Sequence, residues 1–168
     1  EGRCPALLQD VIEVRGLVTQ FGTHRVHDGL DLDVYKGEVL GLVGGSGTGK
    51  SVLLREIVGL LRPAAGSIRV FGTDMLNAPE AEHQAVERRW GVMFQDGALF
   101  SALSVAENVE VPLYVGKHPG SPADRAKEVL TLVGLEHRLD HRPNQLSGGE
   151  QQRVAIARAL ATAPAIVI

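Results

Sequence analysis

The chain is poor in cysteine, in long apolar runs and in clustered positive charge, and each shortage excludes a class of protein. Its single cysteine, Cys4, excludes an internal disulfide and fits a reducing compartment. No apolar run approaches the roughly 18 to 20 residues that a membrane-spanning helix needs. Lysine and arginine form no basic stripe and the net charge is −3, so we expect no nucleic-acid partner.

The rest of the composition predicts an ordinary folded domain. Of the 168 residues, 44% are hydrophobic and 22% are charged, a balance that is typical of a globular α/β protein rather than of a disordered segment. This length suffices for one domain with a sizeable core. The first residue is Glu1 rather than Met, so we expect the start of the chain to be trimmed.

Hydrophobic periodicity predicts several strands in the first half of the chain. Residues 10–18 and 30–35 alternate apolar and polar side chains, which is typical of half-exposed antiparallel strands. Residues 39–43 are almost wholly apolar, which favours a buried parallel strand. Residues 50–60 carry leucine and isoleucine at helical spacing. Three more elements are predicted on similar grounds: strands at 67–72 and 90–95 and a helix at 79–89.

The second half reads as mostly helical. Ser104 followed by Glu107 resembles a capping box, and a Ser-Pro start predicts a helix over 121–134. Residues 147–163 predict a strong helix, and the apolar residues 165–168 predict the opening of a buried strand. The expected fold is therefore α/β, with a mainly parallel sheet, an antiparallel β subdomain near the N-terminus and a helical insertion.

One glycine-rich stretch carries the strongest functional signal. GGSGTGKS, residues 44–51, matches G-x-x-x-x-G-K-[ST] between an apolar run and a helix. Glycines let the backbone fold around an anion, and the helix N-terminus adds partial positive charge. Lys50 can reach the β- and γ-phosphates of ATP, and the Ser51 hydroxyl can bind Mg²⁺. The alternative is a glycine-rich turn with an exposed lysine. The predicted nucleotide-binding residues are Gly44, Gly45, Ser46, Gly47, Thr48, Gly49, Lys50 and Ser51.

A second motif, LSGGEQQR at residues 146–153, narrows the choice among the families that have a P-loop. On these two motifs the sequence resembles the ATP-binding subunits of ABC transporters, whose signature is LSGGQ. In that family the signature serine and glycine N–H groups contact the γ-phosphate that a second subunit's P-loop holds. The resemblance implies a homodimer, head-to-tail around two ATP molecules. Taken alone, SGG before a helix is most often a plain N-cap. The implied nucleotide-binding residues are Ser147, Gly148, Gly149 and Glu150.

Three further positions fit the resemblance. Gln95 matches the family's Q-loop glutamine, which contacts Mg²⁺ and the attacking water; a glutamine after a strand is otherwise a solvated loop residue. Phe21 lies 23 residues before Gly44, where the family has an aromatic ring that stacks on adenine, although it also suits a core. The resemblance thus implies Lys50 and Gln95 as catalytic residues, and Ser51 and Gln95 as Mg²⁺ ligands. Arg153 is expected to support the fold by pairing with a carboxylate.

A narrower resemblance concerns the cargo. Residues 44–63 and 94–113 look like the ATPases of Mla/Mce-type phospholipid transport systems, and Val52 is a discriminating detail. Residues 146–159 are instead closer to general importers and to lipoprotein-release ATPases. The resemblance implies an ATP-hydrolysing subunit that powers transport of a phospholipid or another lipid, with a general importer or a lipoprotein-release ATPase as the alternative.

The family resemblance also implies a partner and a location. We expect an integral-membrane permease as partner, and a cytoplasmic position against the inner face of the cell membrane. Four apolar residues near a loop suit a permease helix, although packing of the helical subdomain explains them equally well: Leu99, Phe100, Leu103 and Val105. Two other classes are alternatives. The compact spacing of the two motifs and the absent basic patch argue against a non-transport ABC protein of DNA repair or translation. A regulatory module that holds nucleotide without hydrolysing it would fit only if the C-terminal end is natural.

The expected organisation is a single ABC ATP-binding domain that is incomplete at its C-terminal end. It comprises an ATP-binding core at 10–95, a helical subdomain at 96–160 and the start of another strand at 165–168. The family continues with an Asp-Glu pair, which holds Mg²⁺ and polarises the attacking water, and with a later histidine. Since the chain ends at Ile168, we expect these residues to bind nucleotide weakly and with negligible turnover.

Overall fold

The computed structural model describes residues 9–93, 98–116 and 118–168. The chain forms two compact units, Glu1–Glu87 and Arg88–Ile168. The strand expected at 90–95 begins in the second unit, and the expected division into an ATP-binding core and a helical subdomain stays a prediction. In the described part of the chain, no helix combines the length and the apolar content that crossing a membrane requires.

A four-stranded antiparallel sheet forms the first unit's framework. Its strands are β1 (Asp10–Phe21), β2 (His24–Tyr35), β3 (Ala65–Val70) and β4 (Thr73–Asp74), in the order β2-β1-β3-β4. The apolar positions of the alternating pattern face the core, where Val14 and Leu17 of β1 are fully buried. The predicted antiparallel subdomain is therefore confirmed.

The pairing of β1 with β3 contains a bulge that only glycine fits. The register shifts between Arg15 and Val18, opposite the start of β3. Gly66 has a φ of +101°, and a Cβ placed on it would lie 2.7 Å from the carbonyl oxygen of Gly16 and 2.7 Å from the Cα of Leu17. Both obstacles are backbone atoms of β1, which is held by strands on either side and cannot move away.

Two short helices complete the first unit. Helix α1 (Lys50–Ile57) buries Leu53 and Ile57, and helix α2 (Glu80–Glu87) buries Val86. Both were predicted from helical spacing, although each is shorter than expected, because helix ends are set by caps and contacts that the spacing does not encode.

The prediction of a strand at residues 39–43 is wrong. The structure has no strand there, and Val39 and Val43 are 99% and 93% exposed. An apolar, β-branched run favours extended backbone, but a strand also needs a neighbour to accept and donate its ladder hydrogen bonds. In the described ranges this run has no such neighbour.

Parallel pairing is confined, within the described residues, to one short sheet in the second unit. Strand β5 (Trp90–Gly91) pairs in parallel with β6 (Ile166–Val167), which confirms the strand predicted near the end of the chain. The larger sheet is antiparallel, so the described part of this α/β fold contains less parallel sheet than the apolar runs predicted.

Three helices build the core of the second unit: α3 (Val105–Val115), α4 (Pro122–Leu132) and α5 (Gly148–Leu160). The predicted capping box is confirmed, since the Ser104 hydroxyl accepts from the Glu107 N–H and the Glu107 carboxylate accepts from the Ser104 N–H. The apolar faces of the helices pack together. The buried side chains of this cluster include Val109, Leu113, Val129, Leu130, Leu135, Val154 and Ala157.

Two polar contacts tie this helical core to its flanking segments. The Arg125 side chain of α4 donates from Nε to the carbonyl oxygen of Ala161 at 2.9 Å and from Nη2 to that of Leu160 at 3.2 Å, at the C-terminal end of α5. The buried Asn108 amide of α3 holds Phe100, accepting from its N–H at 2.8 Å and donating to its carbonyl at 3.1 Å. The segment before α3 is therefore fixed to that helix.

Candidate functional site

The glycine-rich loop leads into α1 in the manner expected of an anion site. Gly49 is the N-cap of the helix in a left-handed conformation, with a φ of +92° and no side-chain cap. The first turn of α1 contains no acidic residue. The helix N-terminus therefore keeps amide N–H groups that no side chain caps, together with its partial positive charge.

The Lys50 ammonium group lies over this loop. Its Nζ donates to the carbonyl oxygens of Gly44 at 2.8 Å and Gly45 at 2.6 Å, and lies 3.2 Å from the Thr48 hydroxyl. That hydroxyl donates in turn to the Gly45 carbonyl at 3.0 Å. Residues 43–48 are all exposed. The structure thus places a positive charge, a hydroxyl and a helix N-terminus together on an open surface.

At this loop the chain offers a hydroxyl oxygen that could help to hold a metal ion. No cluster of three or more His, Cys, Asp or Glu side chains that could hold a metal occurs in the described ranges. Magnesium commonly binds through one or two protein oxygens together with substrate phosphates and water. The Ser51 hydroxyl is exposed in the first turn of α1, next to Lys50, and is suited to be such an oxygen.

Phe21 lies at the end of β1, where the chain turns into β2, and it is 49% exposed. The alternative that this ring belongs to the core is therefore wrong. An aromatic ring with one free face can stack on a planar base, because every base has a π-face. Its role as an adenine platform stays a prediction.

In the second unit, Ser147 caps α5 through a reciprocal contact with Glu150. The Ser147 hydroxyl accepts from the Glu150 N–H at 3.3 Å and donates to the Glu150 carboxylate at 2.7 Å. The same carboxylate accepts from the Ser147 N–H at 2.8 Å. Ser147, Gly148 and Gly149 are exposed, so this helix N-terminus is open to a ligand on its glycine side.

The Glu150 carboxylate is strongly acidic in this position. Hydrogen bonds from the Ser147 hydroxyl and N–H, in that order, and the nearby Arg138 guanidinium lower the pKa of Glu150 from 4.5 to about 2. Arg138 Nε lies 3.2 Å from the carboxylate. The role of Arg138 could not be predicted from the sequence, because Arg138 precedes Glu150 by 12 residues across an irregular segment and no local pattern links them.

We expect the stability difference between the wild type and Glu150→Gln to depend on pH. Because the folded pKa lies below the ordinary value, the carboxylate's contribution is fully present above about pH 4.5 and is lost as the pH falls toward 2. Urea denaturation of both proteins between pH 6 and pH 3 measures the difference. It should shrink as the pH falls, and a difference that stays constant would contradict the assignment.

Three other predicted sites have different outcomes. Gln95 lies outside the described residues. Arg153 is exposed and has no ion pair within the described ranges, so its expected pairing with a carboxylate stays a prediction. Val105 is fully buried and Leu99 packs against the helical core, which favours packing over docking for these two. Phe100 is 51% exposed.

Comparisons with known proteins agree with this picture. A family model described as ABC transporter matches residues 27–168. The methionine import ATP-binding protein MetN of Brucella abortus (strain 2308) is 41% identical over 165 residues, which are 98% of this chain and 45% of that protein. The probable ribonucleotide transport ATP-binding protein mkl of Mycobacterium leprae (strain TN) is 41% identical over 170 residues, and the match covers 100% of this chain and 48% of that protein. The chain spans about half the length of these curated relatives.

Solved structures show the same fold. A dimeric post-hydrolysis state of the ATP-binding cassette MJ0796, bound to ADP and Pi, has a TM-score of 0.82 and 34% identity. The match covers 93% of this chain and 72% of that one. A second dimeric structure of the same bacterial ABC transporter cassette has a TM-score of 0.83 and 35% identity, with the same coverage. The fold is therefore that of an ABC ATPase cassette.

Proposed function

The chain belongs to the ABC transporter family, and we propose that it is the ATP-binding and ATP-hydrolysing part of such a transporter. The observation that carries the proposal is the loop at residues 44–51. There the Lys50 ammonium group lies 2.6 to 2.8 Å from two backbone carbonyls of an exposed loop, at a helix N-terminus without a side-chain cap. Phosphate oxygens can replace those carbonyls as partners of the ammonium group, and they carry full negative charge.

Each part of the nucleotide has a candidate partner in the first unit. Lys50 and the first-turn amides of α1 would bind the β- and γ-phosphates, and the Ser51 hydroxyl would hold Mg²⁺. Bound Mg²⁺ would neutralise phosphate charge. The exposed ring of Phe21 would stack on the base. We also propose Gln95 as the residue that contacts Mg²⁺ and the attacking water, on the family resemblance alone.

We propose that two copies close head-to-tail around two ATP molecules. Ser147, Gly148 and Gly149 of one copy would contact the γ-phosphate held by the other copy's loop. The dimeric state of the solved cassettes supports this assembly. The Ser147 hydroxyl donates to Glu150 in the single chain, so it would have to redirect its hydrogen to reach a phosphate. An integral-membrane permease, and hence a position at the inner face of the cell membrane, is proposed from the transport names of the relatives.

The cargo has two candidates. The resemblance of residues 44–63 and 94–113 to Mla/Mce-type ATPases favours a phospholipid or another lipid. The names of the curated relatives, methionine import and ribonucleotide transport, favour the general importer instead. Stimulation of ATP hydrolysis in the assembled transporter by phospholipid, and not by methionine, would support the first candidate, and the reverse would support the second.

Calorimetric titration with Mg-ATP, Mg-ADP and AMP tests nucleotide binding directly. We expect Mg-ATP to bind at least about tenfold more tightly than AMP, because AMP lacks the phosphates that Lys50 and the α1 amides contact. Mg-ATP should also raise the thermal midpoint, and above the dissociation constant the rise should grow with the logarithm of the Mg-ATP concentration. Equal affinity for Mg-ATP and AMP would contradict a phosphate-binding role for residues 44–51.

A further inference from the structure

Three polar side chains are buried together in the first unit. Thr19 of β1, His27 of β2 and Glu56 of α1 are only 2%, 6% and 0% exposed. The Thr19 hydroxyl donates to Glu56 Oε1 at 2.8 Å and lies 2.8 Å from His27 Nδ1. Glu56 Oε2 lies 3.5 Å from the same nitrogen and has no hydrogen-bond partner in the described part of the chain. A buried carboxylate that is only partly satisfied opposes folding, which indicates a role besides stability.

The hydrogen bonds fix how the imidazole ring is turned. A hydroxyl has a single hydrogen, and that of Thr19 is donated to Glu56. His27 Nδ1 must therefore donate to the Thr19 oxygen. The Nδ1 edge of the ring is thus directed at Thr19 and Glu56, and the Nε2 edge points the other way.

The opposite edge of the ring packs on the phosphate-binding loop. A Cβ placed on Gly49 would lie 2.5 Å from His27 Nε2, 2.5 Å from Val26 Cγ1 and 3.2 Å from His27 Cε1, so the ring and the neighbouring Val26 side chain together occupy the space beside the Gly49 backbone. Gly49 immediately precedes Lys50 and is the N-cap of α1. Glu56 lies two turns further along the same helix face, and helical side chains point back toward the N-terminus. His27 therefore contacts the loop on one edge and the last turn of the helix on the other.

We propose that Thr19, His27 and Glu56 are positioning residues of the phosphate-binding loop. The hydrogen-bonded ring acts as a wedge against Gly49, which fixes the first amides of α1 and Lys50 relative to the β1–β2 hairpin. The same hairpin carries Phe21, two residues after Thr19. The network therefore also sets the distance between the Phe21 ring, which would bind the base, and the loop that would bind the phosphates. The expected effect of this network on ATP affinity rests on the proposed nucleotide binding. The expected effect on the structure of the loop does not.

A matched pair of variants at Thr19 tests the inference. Thr19→Val keeps the shape of the side chain and removes the hydroxyl, and Thr19→Ser keeps the hydroxyl. We expect Thr19→Val to weaken Mg-ATP binding by about fivefold to tenfold, the net worth of one hydrogen bond, and Thr19→Ser to restore most of the affinity. Calorimetric titration of both variants and of the wild type measures this.

Amide hydrogen exchange without nucleotide provides the independent readout. Thr19→Val should speed exchange at residues 49–53, where the Leu53 N–H donates to the Gly49 carbonyl at 2.9 Å. Val14→Ala serves as the control, because Val14 is fully buried on β1 and lies outside the network. Both variants should lower the thermal midpoint, but only Thr19→Val should selectively speed amide exchange at residues 49–53.

The outcomes separate the two proposals. If Thr19→Val speeds amide exchange selectively at residues 49–53 and also weakens Mg-ATP binding, the positioning network and the proposed function are both supported. Selective exchange in a protein whose wild type binds no Mg-ATP supports the positioning network and overturns the proposed function. If Thr19→Val leaves residues 49–53 unchanged, or changes them no more than Val14→Ala does, the network is merely structural and the inference is overturned, whether or not the wild type binds nucleotide.

Discussion

Replacing Lys50 with alanine is expected to weaken Mg-ATP binding about 100-fold, since hydrogen bonds to charged groups are worth up to about 3 kcal/mol. The ammonium group is within 3.2 Å of three loop oxygens, those of Gly44, Gly45 and Thr48. Without it, the phosphates would lose the positively charged side chain at these oxygens. Calorimetric titration with Mg-ATP measures the loss. Stability should change by less than about 0.5 kcal/mol, because the loop is exposed.

Lys36→Ala is the matched control for this prediction. Lys36 is exposed in the turn after β2, in the same unit, and its removal changes the net charge by the same amount. We expect Lys36→Ala to leave the affinity for Mg-ATP nearly unchanged at physiological salt, where charges beyond about 8 Å are screened. A loss equal to that of Lys50→Ala would mean that general electrostatic attraction, and not the ammonium contact, holds the phosphates.

Replacing Gly66 with alanine is expected to lower the free energy of unfolding by about 3 kcal/mol or more. The new Cβ would lie 2.7 to 2.8 Å from backbone atoms of residues 15–17, and the backbone at φ +101° disfavours any L side chain. Neither strand can shift without breaking the β1–β3 ladder at its bulge. Urea denaturation followed by circular dichroism measures the change.

Gly72→Ala separates the two causes of that loss. Gly72 also has a positive φ, +81°, in the turn between β3 and β4, but no atom lies within 4 Å of the position of an added Cβ. It should therefore show only the conformational penalty of about 1 to 2 kcal/mol. Equal destabilisation by the two variants would show that the close approach of β1 to Gly66 contributes nothing.

The features that short segments encode could be predicted from the sequence. The Ser104–Glu107 capping box and the start of α1 at Lys50 depend on residues within one turn of helix, and both are confirmed. The glycine-rich loop could be predicted for the same reason, because its pattern, its flanking helix and its lysine lie within eight residues. Its role in nucleotide binding stays a prediction.

Features that depend on distant partners could not be predicted in this way. Residues 39–43 have the composition of a strand, but only a neighbouring strand decides whether a ladder forms. Thr19 and Glu56 are 37 residues apart, and no periodicity links them. Phe21 equally suits a core or a surface in the sequence, and only the position of the hairpin end shows that its ring is exposed.

The two hydrogen bonds from Arg125 to the end of α5 have a mechanical consequence. With α4 hydrogen-bonded to α5 at Leu160 and Ala161, and Phe100 hydrogen-bonded to α3 through Asn108, we expect the three helices to resist bending relative to one another. We would then expect a force on the exposed Phe100 ring to be transmitted to Ser147, which lies at the opposite end of α5.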